Sequence, residues 1–353
     1  MNKQEVIICQ NVKESLAEAL SRLSWDRLFL LADETTHRLC LPHLGQMDEI
    51  RNAHQIIIGA GDEHKELNTL AHVWTELSTH GASRHSLLIN LGGGLVTDLG
   101  GFAASTFKRG IPYINIPTTL LSMVDAAVGG KTGINFNGLK NEIGAFAPAA
   151  GVLLETEFLR TLDAANFFSG YAEMLKHGLI STPDTLNELL AFDTEQPDYT
   201  RLKEMVRTSV AVKEQVVEAD PKEQGIRKAL NLGHTFGHAF EALALQQEAP
   251  VLHGYAVAWG LVCELYLSFE KHAFPKTYLR QIVQFVKDNY GAFYFTCDDY
   301  PRLYEFMKHD KKNKSGIINF TLLRNIGDIC LDCTADQDTI YKTFDFYREC
   351  MGM

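Results

Sequence analysis

Ser86-Leu87-Leu88-Ile89-Asn90-Leu91-Gly92-Gly93-Gly94-Leu95-Val96-Thr97-Asp98 is the stretch that decides the fold. The aliphatic run Ser86 to Leu91 reads as a strand, enters a triple-glycine turn directly, and is followed by a helical pattern over Leu99 to Phe107. Strand, glycine turn and helix start, in that order, set bare backbone N–H groups against phosphate oxygens, with the helix dipole favouring the anion. Such geometry suits a dinucleotide pyrophosphate. The glycine spacing is not the usual dinucleotide fingerprint, however, and a tight turn requiring positive φ explains the same residues equally well. The surroundings must decide.

Outward from this turn, Glu5 to about Leu154 alternates short apolar runs with amphipathic stretches, the pattern of a parallel sheet covered by helices. Leu28 to Ala32, Gln55 to Gly59 and Tyr113 to Ile116 read as further strands, while Asn11 to Leu23 and Leu67 to His80 read as the helices returning the chain to the sheet. Beyond about Asp163 the pattern turns to long helices over Tyr199 to Ala219, Tyr255 to His272, Lys276 to Asn289 and Asp336 to Met351. Ile317 to Leu323 and Asp328 to Cys333, joined around Asn325 and Gly327, read as a late hairpin. The boundary is expected near Thr161 and the substrate site between the two domains.

The 353 residues suffice for two packed domains, and 46% hydrophobic with 22% charged residues is an ordinary globular balance. A net charge of -11 speaks against nucleic acid or an anionic membrane surface as partner. Met1 to Val12 lacks the basic start and apolar stretch of a secretory signal, and no segment supplies the roughly 20 apolar residues of a membrane span, so the cytoplasm is the expected compartment. Seven cysteines, an odd number, make no disulfide framework. Only Cys330 and Cys333 stand close together. They lack the second pair of a zinc ribbon and end a strand-like run rather than opening a helix, so they read as structural.

Three motifs carry chemistry. The first contains Pro117-Thr118-Thr119-Leu120-Leu121-Ser122-Met123-Val124-Asp125, Gly129-Gly130-Lys131-Thr132-Gly133 and Leu139-Lys140-Asn141-Glu142-Ile143-Gly144. With Arg109, Lys131 and Lys140 in this short glycine-rich region, an anion site is expected despite the acidic whole. The second is Gly233-His234-Thr235-Phe236-Gly237-His238, whose imidazoles share one face if the segment is helical. The third joins Leu252-His253-Gly254 to Gly170-Tyr171-Ala172-Glu173-Met174-Leu175-Lys176-His177. A glutamate with two histidines is a zinc set when a fourth position stays open. A single histidine more often serves as a hydrogen-bonded core residue, and among 13 histidines some pair by chance.

In order, these segments resemble the 3-dehydroquinate synthase family of sugar-phosphate cyclases, from Gly92 through the loop at His253 with weaker support on both flanks. The resemblance implies an α/β fold: a Rossmann-like NAD-binding domain, residues 1–161, and a mainly α-helical metal- and substrate-binding domain, residues 162–353. It implies Glu173, His234 and His253 as ligands of one divalent metal, Zn2+ or Co2+, and His238 as a proton-transfer residue. Arg109, Asp125, Lys131, Asn141, Lys176, Lys213, Arg227 and Asn231 fall on substrate positions, Glu223 on an acid/base position, and one of Lys311 and Lys312 is expected to reach the substrate. NAD+ contacts fall on Asp33, Gly93, Gly94, Asp98, Thr118, Thr119 and Lys140, with Phe158 to Thr161 nearby. Gly61-Asp62-Glu63-His64-Lys65, Asp163-Ala164-Ala165-Asn166 and Ala147-Pro148 depart from the family pattern, which bears on contacts at the domain junction.

The implied reaction turns 3-deoxy-D-arabino-heptulosonate 7-phosphate, a small phosphorylated keto acid, into 3-dehydroquinate and phosphate, as in the shikimate pathway to aromatic amino acids. Oxidation of a ring carbinol by NAD+ acidifies the neighbouring C–H, phosphate leaves, the hydride returns, and the ring reopens and closes by an aldol step. A homodimer is the family expectation. The rivals are a cyclase of the valiolone or inosose type, against which Asn231 and the retained lysines speak, and a metal-dependent polyol dehydrogenase of the same architecture.

Overall fold

The computed structural model describes residues 4–137, 139–308 and 317–353, so Lys311 and Lys312 lie outside the described residues. The chain divides into two compact units, Met1–Asp163 with Tyr199–Val210, and Ala164–Asp198 with Ala211–Met353.

The first unit runs β1 (Val6–Ile8), α1 (Val12–Ser21), β2 (Leu28–Asp33), α2 (Glu34–Leu39), α3 (Asp48–Asn52), β3 (His54–Ile58), α4 (Leu67–Thr79), β4 (Leu87–Gly92), α5 (Gly94–Thr106), β5 (Tyr113–Pro117), β6 (Lys131–Phe136), β7 (Leu139–Phe146) and β8 (Gly151–Leu154). Six strands form one sheet in the order β1-β8-β5-β4-β2-β3, with every neighbouring pair parallel. Strands β2, β4, β5 and β8 are buried along their whole length, which is why they read as unbroken apolar runs rather than alternating ones. Helix α1 starts where the Asn11 side chain accepts the Lys13 N–H, and it buries Val12, Leu16 and Leu20 on one face. Helix α4 does the same with Leu70, Val73 and Leu77.

Two features differ from the sequence expectation. Strands β1 and β8 are only three and four residues long, too short to show a period, and they pair with each other at one edge. The glycine-rich stretch around Lys131 and Lys140, for which the sequence suggests no strand, folds as the antiparallel hairpin β6–β7. Strand β7 is largely exposed, so no buried face marks it in the sequence.

The second unit holds α6 (Ala164–Leu179), α7 (Pro183–Leu190), the latter part of α8 (Tyr199–Ala219), α9 (His234–Gln246), α10 (His253–His272), α11 (Lys276–Tyr290), α12 (Tyr300–Lys308), the antiparallel pair β9 (Asn319–Asn325) and β10 (Asp328–Thr334), and α13 (Gln337–Met351). The segment bearing His234 and His238 is thus helical. Its opposite side is anchored by aromatic packing: the Phe240 ring lies 5.4 Å from each of Phe293, Phe295 and Tyr347. Tyr347 in turn accepts the Phe293 N–H at 3.0 Å.

Candidate active site

Glu173 and Lys176 lie one turn apart on α6, and both are fully buried. They form a close ion pair, yet neither Glu173 oxygen has a hydrogen-bond partner among the described residues. The Lys176 ammonium offsets part of the cost of burying this charge, and the carboxylate's remaining lone pairs are left for further ligands.

Two imidazoles face it. His234 is the first residue of α9 and its Nδ1 is directed at the Leu232 carbonyl, 3.1 Å away, which leaves Nε2 turned to Glu173 Oε1 at 3.4 Å. His253 is the first residue of α10; its Nδ1 lies 3.3 Å from Glu241 Oε2 and its Nε2 lies 3.7 Å from Glu173 Oε1. One donor atom from each of Glu173, His234 and His253 lies within 4.8 Å of the other two. Imidazole and carboxylate ligands hold a divalent cation at about 2.0–2.2 Å, so a buried Glu with two Nε2 atoms at these separations fits one.

The start of α9 is fixed by a residue the sequence did not single out. Glu264 on α10 is fully buried and accepts the N–H groups of Gly233, at 2.6 Å, and Thr235, at 2.9 Å. A carboxylate there satisfies the helix N-terminus and its dipole. Gly233 has a φ of 83°, and an added Cβ would meet Leu261 at 2.9 Å, so only glycine fits this entry into the helix. Glu241 was likewise missed. Its signal is periodicity, since it follows His238 by three positions and so shares its face. Glu264 announces itself as an acid inside the apolar run Leu261-Val262-Cys263-Glu264-Leu265.

His238 stands one turn beyond His234, with ring centroids 5.3 Å apart, and its donor lies within 4.8 Å of those of Glu241 and His253. It therefore belongs to the Glu241 side of the cluster. Nearby in sequence, the Asp220 carboxylate collects the N–H groups of Gln224, Gly225 and Arg227, which lowers its pKa. That loop carries Glu223, whose Oε1 accepts Asn231 Nδ2 at 2.9 Å, and Arg227, which is buried and donates to the Pro221 carbonyl at 2.7 Å. Lys213 on α8 is buried as well.

In the first unit the carboxyl ends of β2, β4 and β5 meet. Asp33 ends β2 and caps α2, accepting the N–H groups of Thr35 and Thr36, while Thr36 Oγ1 donates to the Leu91 carbonyl of β4 at 3.0 Å. Across from it, the Thr118 N–H donates to the Gly92 carbonyl at 3.0 Å. Gly93, at φ -74° and ψ -165°, is extended, so positive φ is not the reason for the turn's glycines. Crowding accounts for two of them: a Cβ on Gly93 would lie 3.0 Å from Thr119 Cγ2, and one on Gly92 would lie 2.5 Å from Val96. No side chain caps the first turn of α5, which opens at Gly94.

Cys40 sits beside this edge, near Thr161, Asp33 and Thr118, and burial pushes its thiol up to about 11. Phe158 is closed into the core, and its carbonyl accepts the Thr161 hydroxyl at 2.7 Å. Lys65, from the segment that departs from the family pattern, is almost fully buried and bridges Asp98 Oδ2 and Asn141 Oδ1, each at 2.5 Å. Sequence reasoning missed it because loop lysines are usually solvated. Asp62 of the same segment faces Lys140 at 3.5 Å. Ala147 is held by Gly130 and the Tyr113 hydroxyl.

Asp125 is half-buried in the turn Ser122–Ala126, and Lys131 opens β6. Arg109 is not brought to the glycine turn within this unit. It is exposed, with a φ of 69°, beyond the far end of α5, a helix about 20 Å long.

Family models for the 3-dehydroquinate synthase N-terminal and C-terminal domains match residues 55–169 and 170–313. The chain is 54% identical to a 3-dehydroquinate synthase of Parabacteroides distasonis over 353 residues, covering 100% of both. It is 36% identical to a 3-dehydroquinate synthase of Clostridium tetani over 324 residues, 90% of this chain and 85% of the relative. Among solved structures it is similar to 2-epi-5-epi-valiolone synthase from Streptomyces hygroscopicus with NAD+ and Zn2+ bound, at TM-score 0.86 and 26% identity, covering 99% of this chain and 98% of that one. An iron-containing alcohol dehydrogenase shares the fold at TM-score 0.67 and 15% identity, covering 99% and 98%. The chain belongs to the 3-dehydroquinate synthase family and is a phosphate-eliminating cyclase of that type.

Proposed function

We propose that residues 162–353 bind one divalent cation, Zn2+ or Co2+, through Glu173, His234 and His253 and hold the heptulosonate phosphate, while residues 1–161 bind NAD+. The observation that carries this reading is the convergence of a buried carboxylate lacking hydrogen bonds with the Nε2 atoms of two histidines. The NAD+ and Zn2+ of the valiolone synthase structure support it.

Bound NAD+ would supply a reversible hydride acceptor for the ring carbinol, and the cation held by Glu173, His234 and His253 would supply a Lewis acid for its oxygen. The chain supplies the rest. Glu241 orients His253 through Nδ1 and makes its Nε2 a better donor. His238, on the Glu241 side of the cluster, moves protons, since imidazole titrates near neutral pH. Glu223, positioned by Asn231, serves as a further acid/base.

Lys131, Asn141, Lys176, Lys213, Arg227 and Arg109 hold the substrate's anionic groups, with Asp125 positioning hydroxyls. Asp33, Gly93, Gly94, Asp98, Thr118, Thr119 and Lys140 receive NAD+. Thr161 and the backbone of the buried Phe158 border them. The same reading takes the enzyme as a cytoplasmic homodimer. Among the described residues no helix is long and apolar enough to cross a membrane.

The test is to incubate the protein with the heptulosonate phosphate, NAD+ and divalent metal, and to follow phosphate. Release that stops on adding chelator, with no net change in nicotinamide absorbance, supports the cyclase chemistry. NADH accumulating with turnover contradicts it.

A further inference from the structure

Cys330 and Cys333 are not absorbed by the reaction, and the structure gives them a third partner. In a regular strand, residues three apart face opposite sides. Here Cys330 pairs with Leu322 and Cys333 with Phe320, so β10 advances three residues while β9 advances two. The extra residue is a β-bulge, with Asp332 at a φ of 53°, and it turns both sulfurs to one face.

His272, the last residue of α10, arrives at that face with Nε2 3.5 Å from Cys333 Sγ. One donor atom from each of His272, Cys330 and Cys333 lies within 4.8 Å of the other two. A tetrahedral zinc with Zn–S of about 2.3 Å and Zn–N of about 2.0–2.1 Å holds its sulfur and nitrogen about 3.6 Å apart, which is the separation found. All three side chains are half-buried, so a fourth position remains open to water.

Without a cation, burial and the neighbouring Cys330 push the Cys333 thiol up to about 12, so a metal must displace its proton to bind there. The Arg324 guanidinium, itself paired with Asp328, lies 3.6 Å from Cys330 Sγ. The backbone is also held in place: Ser268 of α10 accepts the Leu323 N–H of β9 at 3.0 Å, so helix and hairpin are already docked where the ligands meet.

We propose that His272, Cys330 and Cys333 form a second, structural site for a thiophilic cation of the zinc type, stapling the β9–β10 hairpin to the end of α10. A two-stranded sheet is marginal on its own, and a cation bridging it to a helix supplies the closure that a single Cys-x2-Cys pair cannot. The site shares no ligand with Glu173, His234 and His253.

The experiment uses Co2+ as probe with the full-length protein, purified reduced and metal-free. Thiolate ligation gives intense near-ultraviolet sulfur-to-cobalt charge-transfer absorption, which a centre of only nitrogen and oxygen donors lacks. The expected result is that absorption in the wild type, its loss in Cys330→Ser and Cys333→Ser, and a weakened band in His272→Ala. The Cys330→Ser variant is expected to bind one metal equivalent fewer and to keep wild-type phosphate release. No charge-transfer band in the folded wild type overturns the proposal, whatever becomes of the catalytic reading. So does equal metal content in wild type and Cys330→Ser.

Discussion

Glu241 Oε2 stands 3.3 Å from Nδ1 of His253, on the ring edge opposite the nitrogen that faces Glu173. A carboxylate there fixes the tautomer and orientation of a ligating imidazole, and such partners are worth about 10–100-fold in metal affinity. Glu241→Gln is therefore expected to weaken metal binding by that factor while keeping most of kcat at saturating metal. A chelator-competition titration measures it, and unchanged affinity contradicts the role.

His234 and His238 share a helix face but face different partners. His234→Ala is expected to lose the catalytic metal equivalent. His238→Ala is expected to keep it while turnover drops about 10²–10⁴-fold. Metal analysis of both purified variants, with an activity assay, separates the two. Equal metal loss contradicts the division of roles.

Glu264 receives two N–H groups at the start of the helix that begins with His234. Glu264→Gln keeps the shape and removes the charge, and is expected to cost about 1–3 kcal/mol of stability. Denaturant unfolding reads the loss. A variant as stable as the wild type shows that the carboxylate is not needed there.

The position of this acid shows where sequence reading stops. The glycine turn, the helical histidine pair and the parallel sheet were legible because each is a local pattern of a few to about twenty residues. The role of Glu264 was not, because its partners Gly233 and Thr235 lie far back in the chain and meet it only once α9 and α10 pack. Lys65 read as an ordinary solvated loop lysine because its partners Asp98 and Asn141 also lie far along the chain. Of the two reasons the sequence offers for the glycines of the Gly92 turn, positive φ does not hold, and only the folded chain shows Val96 and Thr119 crowding Gly92 and Gly93. The hairpin β6–β7 stayed hidden because one of its strands buries almost nothing.

Lys65 joins a residue assigned to NAD+, Asp98, to one assigned to substrate, Asn141. Lys65→Met is expected to raise the KM for both ligands more than it lowers kcat, by releasing two polar groups that one ammonium holds. Steady-state kinetics with each ligand varied in turn checks this; an effect confined to kcat contradicts it.

Asp220 is held below the usual carboxylate range chiefly by the backbone N–H of Gln224, with Gly225 and Arg227 adding to it. A depressed folded pKa contributes stability that is present above the unfolded value, about 3.9, and is lost as pH falls through the lower folded value. Wild type is therefore expected to outlast Asp220→Asn in thermal unfolding at neutral pH, with the gap closing below about pH 4. A pH series of melting curves shows whether it does.

The most direct measurement is a crystal of the Co2+-loaded enzyme with anomalous scattering recorded at the cobalt edge. A peak at about 2.0–2.2 Å from a Glu173 oxygen and from the Nε2 atoms of His234 and His253 is the expected result. A cation seated on His238 and Glu241 instead, with Glu173 unligated, contradicts the centre on which the chemistry depends.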